Sequence, residues 1–194
     1  MWDTLKTLAQ RLAGQPRSRS DTPLERSISK LPLEHAETIR VLVERDEETI
    51  RTRFGFLLTS FGFRFVSAAW FPRGRYILLE NDRLRLAYVH REREVTSWFL
   101  ADSSDQEPVV NYDIGQTPDW NLISDLARDR IGVPWLPLMP AWEEIGEGIS
   151  VDSVWPPETY EKLHIIELQR YIPEFEKLVE KYGHIDLIPR VGPY

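Results

Sequence analysis

The chain has 194 residues, no cysteine and a formal net charge of −7. That length predicts one domain with trimmings, large enough to bury a core without staples, and the missing cysteine excludes disulfides, thiolate nucleophiles and Cys-ligated zinc. The acidity is local: residues 101–160 hold twelve acidic side chains against Arg128 and Arg130, a balance of −10, while 1–30 stand at +3, 31–100 at +1 and 161–194 at −1.

Affinity for phosphate backbones needs positive surface, so nucleic acid is not an expected partner. No apolar run approaches the roughly 20 residues of a membrane span. The opening "MWDTLKTLAQRLAG" makes a poor signal peptide, since Asp3 comes early and no continuous apolar core follows. A cytoplasmic location is the expectation.

In chain order, residues 1–13 read as an amphipathic helix with Trp2, Leu5, Leu8 and Leu12 on one face. Residues 14–30, with "GQPRSRSDTP", read as a flexible linker. The remainder, 31–194, reads as a single globular α+β domain. From Pro32 the apolar residues Ile39, Leu42, Val43, Ile50, Phe54, Leu57 and Leu58 form a helical stripe, in one long helix or two with a break near Asp46, stopping at Gly62.

Strand patterns follow. "RFVSAAWF", "YILLEND", "RLRLAYVHR" and "EVTSWFLAD" have short connections, "PRGR" being the first turn. They predict an antiparallel meander of three to five strands packed against helices. A helix near 119–130 should end at Gly132. A long C-terminal helical segment from Pro157 to Gly183 should be kinked or split at Pro173.

Catalytic and nucleotide-binding motifs are absent: no glycine-rich phosphate loop, no G-x-S-x-G elbow, no H-E-x-x-H and no EF-hand loop. His35 reads as a solvated residue near a helix start, His90 as a strand-end rim position, and His184 as a partner of the last helical carbonyls. His164 and Glu167, three apart on a helix, share a face. A metal would need a second such pair, and none is obvious in the sequence.

Arg83, Arg85 and Arg91 share one face of a strand, with Arg73 and Arg75 in the adjacent turn. Two readings stand: an anion-binding face, or the solvated side of a two-layer domain balanced by Glu80, Asp82, Glu92 and Glu94. The near-neutral local charge favours the second. Asp102, Asp105 and Glu107 sit in a polar loop, where carboxylates keep ordinary acidity and make poor general acids.

The most unusual stretch is "PWLPLMPAWEEIGEGISVDSVWPP", residues 134–157, with five prolines, three tryptophans, four acids and no Lys or Arg. Pro134, Pro137 and Pro140 have the three-residue period of polyproline II, but a ligand of that type usually carries a basic residue where Ile131 stands. The stretch reads either as a loop draped over the core or as an acidic, aromatic docking surface. In the second reading the acids steer a basic partner and the rings supply desolvated area. The contact residues would be Trp135, Trp142, Glu143, Glu144, Glu147, Asp152 and Trp155.

The run from Phe54 to Leu100, with "FGF" at Phe61–Gly62–Phe63 and "NDRL" at Asn81–Asp82–Arg83–Leu84, resembles small bacterial immunity-type proteins associated with polymorphic toxins. The likeness covers about residues 50–130. It implies a non-enzymatic binder of a cognate effector and transfers no functional residue. The expected function is therefore a non-catalytic protein-binding module without cofactor or metal. An adaptor subunit docking through the helix at 1–13 is the second reading, and an enzyme using the arginine face for an anionic substrate is the third.

Overall fold

The structure is a computed structural model and describes residues 22–72, 74–91, 96–102, 121–132 and 157–185. Its elements are helix α1 (Pro23–Ile28), α2 (Leu33–Arg53), α3 (Phe56–Thr59), strands β1 (Arg64–Phe71), β2 (Gly74–Glu80), β3 (Leu84–Arg91), β4 (Ser97–Asp102) and β5 (Asn121–Leu122), helix α4 (Ile123–Leu126) running into a π-helical turn (Ala127–Ile131), and helix α5 (Pro157–Tyr182). The five strands lie in the order β1-β2-β3-β4-β5, every neighbouring pair antiparallel. This is the α+β meander that the strand patterns predict.

Residues 22–30 were expected to belong to the linker, yet they carry α1. Thr22 Oγ1 accepts from Glu25 N–H at 3.2 Å and Pro23 stands at the first turn, a standard helix start. Ile28 is buried. Ser27 Oγ accepts the Trp70 N–H at 3.0 Å, so α1 satisfies a donor on edge strand β1. A Glu25–Arg40 pair, bonded at 2.7 and 2.9 Å, ties α1 to α2.

Helix α2 runs unbroken through Asp46, and its buried positions are Ala36, Ile39, Val43, Asp46 and Ile50. The alternating three- and four-residue spacing keeps all five on one face, so Asp46 belongs to the buried stripe and is no helix break. The chain turns at Phe54–Gly55. Gly62, with φ of 67°, supplies the left-handed step that sends the chain into β1.

The sheet is buried on both faces. One face contributes Ile77, Leu79, Leu84, Leu86, Tyr88, Trp98 and Leu100 to a core shared with the helices. Phe54, Tyr88 and Trp98 meet there edge-on, with centroids 5.0–6.3 Å apart. The other face, including Phe71, Tyr76, Leu78, Val89 and Phe99, forms a second cluster of strand residues alone.

That second cluster corrects the reading of the arginine-bearing face as the solvated side of two layers. Ala87 and Val89, between Arg85 and Arg91, are 0% and 1% exposed. The charged residues mark the ends of the strand while its middle is core.

Helix α5 is a single element through Pro173. Proline there removes the hydrogen bond to the Gln169 carbonyl, at a cost of about 3 kcal/mol. Leu168, Tyr171, Ile172 and Phe175 are at most 2% exposed and anchor the chain on both sides of it, so the helix is not split. It ends at Gly183, which has φ of 79° and donates its N–H to Val179 O at 2.7 Å. Among the described residues, no helix is long and apolar enough to cross a membrane.

Candidate functional site

Where α2 crosses the β1–β2 turn end of the meander, the fold buries a pair of opposite charges. Antiparallel register sets Arg75 of β2 opposite His90 of β3, both on the face toward α2. Asp46 reaches down from the buried stripe. Arg75 Nε donates to Asp46 Oδ2 at 2.5 Å and Nη2 to Oδ1 at 3.0 Å, a bidentate fork. The side chains are only 9% and 7% exposed. Arg75 was expected in a turn beside other arginines; it lies instead inside the domain with its own counter-ion.

His90 Nδ1 stands 3.9 Å from Asp46 Oδ1, with the ring 36% exposed. Burial, foremost, and the Arg75 guanidinium push the imidazole below its ordinary pKa of 6.5, with Arg45 adding to the effect; Asp46 pulls the other way. A histidine whose folded pKa is depressed binds its proton more weakly folded than unfolded. Its contribution to stability is therefore lost as pH falls from about 6.5 toward the folded value. Urea titrations at pH 7.5 and 5.5 should show a smaller acid-induced loss for His90→Gln than for the parent. Equal losses in the two proteins would assign the effect elsewhere.

Beside this cluster lies a groove of about 290 Å³. Leu31, Ile39, Leu42 and Trp70 give it apolar walls, and Arg75 and His35 are its charged or titratable residues. The groove therefore joins one fixed cation to a mostly apolar surface.

Among the described residues, the other arginines do not assemble an anion site; Arg73 lies outside them. Glu80 faces Arg64 on β1 and Arg85 on β3 in register and pairs with both, at 2.9 and 3.3 Å. Arg83 lies 3.6 Å from Glu180. The cations are spread along a cross-strand ladder and a helix contact, so they hold elements together.

His164 and Glu167, read from sequence as one helical face, do meet, with Nδ1 3.6 Å from Oε2. His164 Nε2 donates to Thr96 O at 2.9 Å, which leaves Nδ1 toward the carboxylate. Glu167 is 4% exposed, and its Oε1 has no hydrogen-bond partner among the described residues. No group of three or more His, Cys, Asp or Glu in metal-binding arrangement occurs among those residues either.

Asn81 organises the β2–β3 turn. Its Oδ1 accepts from Arg83 N and Leu84 N at 2.9 and 2.8 Å. Its Nδ2 donates to Phe61 O at 3.0 Å and to Glu176 Oε1 at 2.6 Å. The "FGF" and "NDRL" segments that carried the family resemblance thus touch each other through one amide, in a contact that holds the fold.

The docking residues expected from sequence, Trp135, Trp142, Glu143, Glu144, Glu147, Asp152 and Trp155, lie outside the described residues, as do Trp2, Leu5, Leu8 and Leu12. Of the acidic segment the structure describes residues 101–102, 121–132 and 157–160. There Arg128 is held by Asp129 at 2.8 Å and Asp125 at 3.1 Å.

Sequence reasoning missed the Asp46–Arg75 pair. The available signal was an aspartate exactly in step with an apolar helical stripe, which calls for a buried cation. Comparison with family models, with curated proteins and with solved structures finds no match to this chain.

Proposed function

We propose that this protein is a non-catalytic protein-binding module, in its most concrete form an immunity- or inhibitor-type protein that captures a basic partner. The observation that carries the reading is the charge of residues 101–160, twelve acids against two arginines, coupled to Trp120, Trp135, Trp142 and Trp155. Arg128, one of those two cations, is taken up by Asp125 and Asp129 of the same segment. Acids at a rim accelerate and select a cationic partner, while buried tryptophans carry most of the affinity. Prolines at 134, 137 and 140 restrict the free chain and lower the entropy lost on association.

The test is capture from a bacterial extract at low and at high salt. A basic protein retained at low salt and released at high salt is the expected result. Trp142→Ala should then weaken that complex by more than about 1 kcal/mol with folding unchanged. A partner whose binding ignores both salt and Trp142→Ala would overturn the assignment of the surface, and Trp142→Ala failing to fold would place that ring in the core.

A further inference from the structure

We propose that the groove between α2 and the β1–β2 hairpin binds a small carboxylate with an apolar, ring-sized body. The argument begins with Arg75. A guanidinium has five N–H donors, and the fork to Asp46 uses two of them, at 2.5 and 3.0 Å. Among the described residues, no further hydrogen bond is made to the remaining three. Asp46 therefore acts as the fixed support of the cation, and the cost of ordering the arginine side chain is met before any ligand arrives. The planar fork of arginine matches carboxylates and phosphates alike, and the apolar walls favour a carboxylate with an apolar body over a phosphate.

The surroundings supply the rest of the recognition. Among the described residues, Arg75 is the only permanently charged one in the groove wall and no acidic side chain lines it; His35 adds a further hydrogen-bonding group. Ile39, Leu42, Leu31 and the Trp70 ring offer the apolar contact. A volume of about 290 Å³ sits at the small end of ligand sites. It suits one ring or a short aliphatic chain rather than a nucleotide. No described residue of the acidic segment lines the groove, and its charge preference is the opposite one.

Benzoate and its uncharged analogue benzamide are the probes. Each is titrated into the whole protein while the Trp70 indole and Arg75 Nε–H resonances are followed by NMR, the former assigned with Trp70→Phe. Benzoate should shift both signals saturably in the millimolar range, and benzamide should bind at least tenfold more weakly. Leu42→Trp fills the groove without touching the ion pair and should weaken benzoate at least tenfold. Should that variant not fold, the paired change Asp46→Asn with Arg75→Gln removes the cation without leaving a buried charge, and should abolish the preference for benzoate. No saturable shift, equal binding of the two probes, or benzoate binding unchanged in these variants would each overturn the proposal.

Discussion

Asp46→Ala should destabilise the domain by about 3–5 kcal/mol, the range for stripping one partner from a buried ion pair. Little solvent reaches the pair to soften the loss: its side chains are 7% and 9% exposed and joined by two hydrogen bonds. Removing the carboxylate strands the Arg75 guanidinium between α2 and β2 with His90 as its neighbour. Against a typical total stability of about 5–15 kcal/mol, that is enough to unfold a large fraction of the molecules on mild warming. The informative control is Asp46→Leu with Arg75→Met, which removes both charges and keeps apolar volume. The double variant should lie within about 1–2 kcal/mol of the parent. Urea denaturation followed by circular dichroism measures both, and a single variant no worse than the double one would contradict this account of the pair.

Asn81→Ala is the second large effect, about 2–4 kcal/mol, from four hydrogen bonds at a net of about 1 kcal/mol each. The loss is concentrated because one amide serves three elements. It caps the β2–β3 turn, holds the chain leaving α3 at Phe61, and reaches Glu176 on α5. Asn81→Asp separates these duties. Its carboxylate still accepts from Arg83 N and Leu84 N, but it faces the Phe61 carbonyl and the Glu176 carboxylate without a proton to donate. At neutral pH that variant should be about as unstable as Asn81→Ala, and it should regain stability relative to Asn81→Ala as pH falls and its carboxyl takes up a proton. Parallel behaviour of the two variants across pH would show that the Nδ2 bonds contribute little.

Both variants sit at positions whose roles depend on partners distant in sequence. Asp46 and Arg75 are 29 residues apart and Asn81 and Glu176 are 95 apart. Nothing in the local pattern around Asn81 beyond a turn propensity marks it as the tie to a helix near the other end of the chain. Asp46 was visible as an interruption of the stripe, and a polar residue there reads equally as a helix end or as a buried ion. Deciding between them requires knowing that Arg75 arrives on the facing strand. The arginine-bearing strand shows the same limit: its alternation was legible, but whether its second face meets water depends on what packs there, which a strand cannot encode alone.

By itself the sequence determined most of the elements and their order: the α2 stripe, four strands at their observed positions, the stops at Gly62, Gly132 and Gly183, and the start of α5 at Pro157; α1, read as linker, and β5, read as the start of a helix near 119–130, were not among them. These rest on local physics, namely periodicity against one face, the left-handed freedom of glycine and the fixed φ of proline. The uneven distribution of charge along the chain was likewise a property of sequence alone. Only the tertiary structure decided which charges are buried and what they touch. Burial and pairing are sums over elements brought together from far along the chain: α1 onto β1, α2 onto β2, α5 through Pro173 onto the same core. Their cost or gain is set by the neighbours at the contact, so the same aspartate is a solvated helix residue in one fold and half of a buried ion pair in this one.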